Sequence, residues 1–248
     1  MNWSRMNPKE NSAMKSATAY FTDDTEQFAA NYRSKPSFND RLNLFQAAVQ
    51  RSAPIPAKVL DFGCGPGVIA TAVSRQGYDV LGTDGSVGMV ERSNSAATAA
   101  DLDNLRFELV SATTAKFPTE HFDVIICSSV IEYLSEDMAV LSHLVDSLKF
   151  GGSLLVSVPN ARSLIGIAER SVRCLRRFCR LDIGRHFDYS LRHYSPTRFA
   201  AQLSSLGLEV QRRTSFEFPL FGHAGVRLSR IHALGAMILF EARRTRLL

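Results

Sequence analysis

Apolar and polar positions along this chain change period several times, and each change predicts an element. Residues 20–51, "YFTDDTEQFAANYRSKPSFNDRLNLFQAAVQR", space their apolar side chains three and four apart, the period of a helix, broken in two at Pro36. "SAPIPAK" reads as a linker. Short apolar runs then alternate with helical stretches. The pattern predicts strands at Val59–Phe62, Asp79–Thr83, Leu105–Val110, "FDVIICSS" and Ser153–Val158. Helices are predicted from about Val68 to Gln76, Ser86 to Ala99 and Asp137 to Leu148, with "FGG" as the turn into the strand that Pro159 closes. Residues 160–194 interrupt this rhythm. A helix from Pro196, a strand Leu208–Thr214 and a last strand "GAMILFEA" complete it. "FDVIICSS" is nearly continuously apolar, as a strand covered on both faces should be. Alternating strands and helices predict a doubly wound α/β sheet, mostly parallel.

Composition narrows the class. With 248 residues and 45% apolar content, the chain can build one large core. Its net charge of +5 suits an anionic ligand, a membrane surface or nucleic acid, and selects none of them. Cys64, Cys127, Cys174 and Cys179 follow no zinc spacing and are read as reduced thiols of a cytoplasmic protein. The first twenty residues lack the apolar core of a signal peptide, and no apolar run approaches the roughly 20 residues that cross a bilayer. The expected organisation is a helical cap over residues 1–52, then a domain over 53–248 with a helical insert at about 160–194. No metal site is predicted.

The candidate chemistry begins at "KVLDFGCGPG", residues 58–67, where Asp61 is followed by Gly63, Gly65 and Gly67. In open parallel sheets ligands sit at the carboxyl ends of strands, and this loop leaves the first strand to open a helix. Glycines let backbone approach a ligand closely, beside the free N–H groups of a helix start. The second strand ends at Asp84, 84 − 63 = 21 positions beyond Gly63, the separation expected of a carboxylate that grips ribose hydroxyls. Together these point to an adenosine-type cofactor. The G-x-G-x-G spacing departs from the dinucleotide fingerprint G-x-G-x-x-G.

The words "VLDFGCGPG", "VLGTDGSVGMVERS", "FDVIICSSVIEYL" and "LKFGGSLLVSVPN", in that order, resemble class I S-adenosylmethionine-dependent methyltransferases, closely over about residues 57–160 and more loosely over 195–241. Among them, the quinone-pathway and other small-molecule O-methyltransferases are the nearest resemblance. The resemblance implies a Rossmann-like sheet of seven strands, mostly parallel, with an antiparallel last strand. It implies S-adenosyl-L-methionine as cofactor and a small-molecule or lipid-like acceptor, with O-methylation as the chemistry. It puts the Gly63, Cys64, Gly65 and Gly67 loop against the methionine part of the cofactor, with Asp61 positioning the loop and the amino group. Asp84 would hold the ribose, Gly85 and Met89 would pack near ribose and adenine, and Ser128 would sit beside the methionine chain. The family's adenine-reading acid is replaced here by Ala112. The Thr113 backbone, or the hydroxyl of Ser111 or Thr113, would stand in, with a loss of about one hydrogen bond, ~0.5–1.5 kcal/mol.

Methyl transfer from a sulfonium needs alignment above all, and a phenol, carboxylate or amine acceptor adds a demand for a base. Glu132 and Tyr133 follow the fourth strand, where quinone-pathway relatives carry Glu-His. Glu132 is either that base or simply an acid at a helix start. His193, in "RHYSPTRF", is either a base at the site mouth or a packing residue beside a helix capped by Ser195 with Pro196 first. His186 is a weaker candidate. On a helical projection of 162–181, "RSLIGIAERSVRCLRRFCRL", the arginines fall opposite the apolar residues. Such a basic amphipathic helix is either a lid or a peripheral membrane contact. Two competing functions are a nicotinamide-dependent oxidoreductase, disfavoured by glycine spacing and by the lack of a Tyr-x-x-x-Lys pair, and a non-catalytic cofactor-binding partner. Nucleic-acid methylation is not expected: no Asn/Asp-Pro-Pro-Tyr/Phe word follows the fourth strand, and no aromatic-interleaved basic groove lies outside 162–185.

Overall fold

The structure is a computed structural model that describes Thr22 and residues 25–163, 192–217 and 235–245. Most of the insert at 160–194, with the basic helix, His186, Cys174 and Cys179, lies outside the described residues, as do Tyr20 and Phe21.

Two helices open the chain, α1 (Thr25–Ser34) and α2 (Pro36–Ser52). Pro36 ends one and begins the other, since its fixed φ suits a first helical turn and its missing N–H is not needed there. The α/β unit follows as β1 (Lys58–Phe62), α3 (Val68–Ser74), β2 (Asp79–Asp84), α4 (Val87–Ala100), β3 (Leu105–Leu109), β4 (Phe122–Ser128), a 3-10 turn (Ile131–Tyr133), α5 (Asp137–Ser147), β5 (Leu148–Pro159), α6 (Pro196–Ser205), β6 (Leu208–Phe216) and β7 (Met237–Arg244). The sheet order is β3-β2-β1-β4-β5-β7-β6. β7 runs antiparallel to both β5 and β6, and the pairings among β1 to β5 are parallel. This is the predicted seven-stranded, mostly parallel sheet.

Alternation along each strand sends side chains to two cores. On one face Val59, Val80, Val124 and Ile126 meet Phe45, Ala48 and Val49 of α2 and Ile69 and Val73 of α3. On the other, Leu60, Ile125, Leu154 and Phe240 meet Leu141 and Leu144 of α5 and Phe199 and Leu203 of α6. Each such side chain contributes roughly 1.5–3 kcal/mol on burial. The β1–β4 boundary is where the strand order reverses, so the crevice for a ligand lies at the carboxyl ends of β1, β2 and β4.

Two local predictions are corrected. "FGG" is not a turn before the fifth strand. β5 already begins at Leu148 and runs through it, with a register shift opposite Phe122 and Val124. A bulge absorbs the extra residues, Gly151 at φ +78 among them, and keeps the ladder going. Ser195 precedes α6 but makes no side-chain capping bond, whereas Ser86 does cap α4, accepting from the Met89 amide at 3.2 Å.

Gly63 is required by packing. Its φ is +71, and a Cβ there would sit 2.3 Å from a Val130 methyl. Gly63→Ala is therefore expected to lose about 2 kcal/mol or more in urea denaturation, with Val130→Ala restoring only part, because the backbone strain remains.

Candidate functional site at the carboxyl edge of the sheet

The glycine loop is held from three sides. Gly63 and Cys64 amides both donate to the Thr83 carbonyl, at 2.7 and 2.9 Å. The Gly65 amide donates to Asp84 Oδ2 at 2.9 Å, and its carbonyl accepts from Ser93 Oγ at 3.0 Å. Asp84 Oδ1 accepts the Ser86 amide at 2.9 Å. One carboxylate thus fastens the first two strand exits to each other. Burial raises the Asp84 pKa, opposed by the Ser86 and Gly65 amides. A Cβ on Gly65, at φ +53, would find only the Phe28 ring, at 3.8 Å, so of the glycines at 63, 65 and 67 this is the one with open space beside it.

Several buried polar atoms at this edge have no partner. Asp61, 1% exposed, leaves Oδ2 unsatisfied. Burial, then the charge of Asp84, pushes its carboxyl up to about 7. Ser128 Oγ, at the end of β4, is also orphaned. Glu132, 2% exposed on the 3-10 turn, leaves Oε2 without a partner, and burial pushes its pKa up to about 8. Such groups destabilise a fold unless something else uses them. An α-amino acid bearing hydroxyls nearby supplies the missing donors and acceptors, so the residues present fit the nucleoside-amino acid that the sequence implies.

α1 lies across this edge. Phe28 faces Gly65, Thr22 Oγ1 is 2.8 Å from Ser86 Oγ, and Glu26 pairs with Arg92 of α4. Beneath it is a charged cluster that sequence reasoning missed. Arg41 of α2 is 8% exposed and pairs with Glu217 just past β6, between the rings of Phe38 and Phe216. Burial opposes the charge of Arg41, but Glu217 above all, then Tyr32 and Glu132, raise its pKa, while Tyr32, pushed up to about 12 chiefly by burial, feels Asp61 as well. A signal existed: Arg41 falls on the buried stripe Arg41, Phe45, Ala48, Val49 of α2, where only a paired cation is tolerated. Removing one partner of a largely buried ion pair strands the other charge. Glu217→Ala is expected to destabilise by about 3 kcal/mol in denaturant unfolding, and Arg41→Met/Glu217→Met by much less.

The other predicted residues fall on the same edge of the sheet. Gly85 follows β2, Ala112 and Thr113 follow β3, and Ser111 Oγ lies 3.3 Å from Thr113 Oγ1. Met89 and Cys64 are buried, and burial raises the Cys64 thiol well above its usual pKa. Tyr133 sits beside Glu132 on the 3-10 turn. His193 is half-buried next to Tyr194, which bridges Asn160 at the end of β5 and donates its hydroxyl to Asp137 Oδ2 at 2.8 Å. Among the described residues, no group of three His, Cys, Asp or Glu could hold a metal ion, and no helix is long and apolar enough to cross a membrane.

Known proteins share this arrangement. The methyltransferase-domain family matches residues 28–212. An aklanonic acid methyltransferase, DauC, of Streptomyces sp. strain C5 is 32% identical over 46% of this chain and 54% of its own length. A ubiquinone biosynthesis O-methyltransferase of Rickettsia akari is 30% identical over 42% of this chain and 40% of its own. The chain thus spans about half the length of these relatives. The solved structure of a magnesium protoporphyrin IX methyltransferase from Synechocystis PCC 6803, with bound S-adenosylhomocysteine, superposes with a TM-score of 0.70 at 18% identity, covering 94% of this chain and all of that one. The [4+2]-cyclase SpnF shares the fold at a TM-score of 0.62 and 19% identity, covering 82% and 80%. Nothing among them supports a nicotinamide enzyme or a non-catalytic partner. Three-quarters of the chain matching one family, on this sheet and around this glycine loop, settles the kinship: the protein belongs to the methyltransferase-domain family, with the class I S-adenosylmethionine-dependent fold.

Proposed function

We propose that the protein methylates a hydroxyl of a small-molecule acceptor, using S-adenosylmethionine. The supporting observation is the set of unpartnered buried atoms, Asp61 Oδ2, Ser128 Oγ and Glu132 Oε2, at the edge where Gly65 leaves open space. When bound, the cofactor supplies a methyl already activated on a sulfonium. Asp84 would accept the ribose hydroxyls while keeping the loop amides. Asp61 would accept the cofactor's ammonium, whose positive charge favours the ionised carboxyl. Arg41, the buried cation of this cluster, would face the cofactor's carboxylate. Thr113 and Ser111 would border the adenine, and Gly85 and Met89 the ribose. α1 would exclude water.

Glu132 is our candidate base. It is buried, its Oε2 has no partner, and its raised pKa puts proton uptake near neutral pH, as proton abstraction from a phenol requires. Tyr133 would orient the acceptor beside it, and His193 is the competing base. The relatives' names support a polyketide- or quinone-like acceptor, and their differing acceptors leave the substrate class at small aromatic or lipid-like molecules. The free thiols of Cys64 and Cys127 suit a reducing compartment such as the cytoplasm. The arginines of 162–181 suit contact with an anionic membrane that holds a lipidic acceptor. Reversing those of 170–180 to Glu should remove binding to anionic vesicles, and a wild-type protein that never binds them ends that part of the proposal.

The test is calorimetric titration with S-adenosylmethionine, S-adenosylhomocysteine and NAD in parallel, followed by methyl transfer to a panel of phenolic acids and quinols. Micromolar binding of the two sulfur nucleosides and methyl ether formation are expected. Binding of NAD alone, or sulfur-nucleoside binding with no transfer to any hydroxyl, would overturn the reading.

A further inference from the structure

The second face of the sheet is covered unevenly. α5 and α6 pack over β4, β5, β7 and β6, but the β3–β4 connection, residues 110–121, contains no helix. Over β1, β2 and β3 that connection borders an open cavity of about 250 Å³. Its floor is apolar, from Leu81, Val110 and Phe117. Four basic side chains line it: Lys58, Arg106, Lys116 and His121. Lys58 Nζ lies 3.4 Å from His121 Nε2, so two nitrogen groups converge with no carboxylate between them. Of the nearby acids, Asp123 accepts Lys149 Nζ at 2.7 Å and the Lys58 amide at 2.8 Å, and it also feels the Lys58 charge. Among the described residues, no ion pair engages Lys58, Arg106 or Lys116. Asp79 and Glu108 also line the cavity, which leaves the cations in excess by 3 − 2 = 1 before His121 is counted.

The cavity runs along the strands: its Glu108 and Val110 end reaches the β2 exit, where the Val110 amide donates to the Asp84 carbonyl at 2.9 Å, and its basic end is separate from the site described above. Lys58 and Asp79 are the first residues of β1 and β2, at the end opposite the glycine loop and Asp84. Along β2 that is five residues, about 17 Å.

We propose that this cavity is a second ligand site that takes a small organic anion, a carboxylate or phosphate on a flat apolar body. The anionic end meets the Lys58–His121 pair, Arg106 and Lys116, and the apolar body lies on Leu81 and Phe117. The volume falls just below the usual range for drug-sized ligands, which sets the size at about one ring with its charged group. Basic side chains outside any described ion pair, around an apolar floor, favour such a molecule over both a neutral ring and a bare ion.

The test uses the full chain saturated with S-adenosylhomocysteine, so that the probe cannot occupy the cofactor crevice. Phenyl phosphate is titrated at about 0.15 M salt, where long-range charge effects are screened, and amide shifts of residues 106–122 are followed by NMR. Inorganic phosphate and phenol are titrated alongside. Saturable shifts with phenyl phosphate are expected, with each of the other two about tenfold weaker or more. R106E/K116E, on two exposed side chains, should lose phenyl phosphate binding at least tenfold while retaining S-adenosylhomocysteine affinity as its folding control. The absence of saturable shifts at these residues would overturn the proposal. So would inorganic phosphate or phenol binding as tightly as phenyl phosphate, or the double variant binding it unchanged.

Discussion

Asp84→Ala is expected to cut affinity for S-adenosylhomocysteine by at least 100-fold and leave the protein folded. Two hydrogen bonds from ribose hydroxyls to a carboxylate contribute about 1.5–3 kcal/mol each, and every 1.4 kcal/mol is tenfold. The structure adds a second loss. Asp84 also accepts the amides of Gly65 and Ser86, so the variant frees the glycine loop from the β2 exit and leaves two donors unpaired. Asp84→Asn separates the two effects. It keeps the shape and one acceptor but turns an NH₂ toward an amide that needs an oxygen. Titration calorimetry reads the affinity, and circular dichroism confirms the fold. Affinity within threefold of wild type for Asp84→Ala would remove Asp84 from the ribose role.

Glu132→Gln should lower kcat by about 10²–10⁴, the usual contribution of a positioned base, and abolish the acidic limb of the pH–rate profile. Glu132 works only when ionised. Burial raises its pKa to about 8, so activity in the wild type should rise with pH toward that value. A bound sulfonium attracts the carboxylate and draws the limb below 8.

The same variant should be more stable than wild type, and this separates a base from a packing residue. The folded pKa of Glu132 lies above its ordinary value of 4.5. The stability tied to its protonated form is complete below 4.5 and is lost as pH rises toward about 8, because the unfolded chain releases the proton first. A neutral glutamine carries no such loss. Without cofactor, the stability of Glu132→Gln relative to wild type should therefore grow between pH 5 and pH 8, by an amount on the order of a few kcal/mol. Urea unfolding at the two pH values measures it. A stabilised variant with an intact acidic limb would make Glu132 a buried structural acid and pass the role to His193, for which His193→Ala is the matching experiment.

The fold leaves the reaction open. A [4+2]-cyclase and a porphyrin methyltransferase share this sheet with the present chain, so the chemistry rests on the groups set along one edge. Asp61, Glu132 and Arg41 are costly to bury, and a fold under selection for stability alone would replace them.

Much of this was legible in the chain, because some signals are local. The apolar run of β4 announces a strand covered on both faces, and the break at Pro36 separates α1 from α2. The loop from Gly63 to Gly67, with Asp84 beyond it, marks the crevice, since one βα turn and the next strand end are fixed by chain connectivity. Tertiary structure alone decided the rest. Arg41 and Glu217 are 176 positions apart, and only the packing of α2 beside the end of β6 makes them partners. Gly63 is a glycine because Val130 reaches it across the β1–β4 boundary, and "FGG" stays within β5 as a bulge because the ladder to β4 holds on both sides of it, at Leu148 and at Ser153. Glu132 reads in sequence as either a base or an acid at a helix start. Its burial, its unpartnered oxygen and its raised pKa come from strands and helices that enclose it from other parts of the chain. Periodicity and turn chemistry act over a few residues, whereas dielectric, desolvation and pairing of charges depend on what the completed fold places around a group.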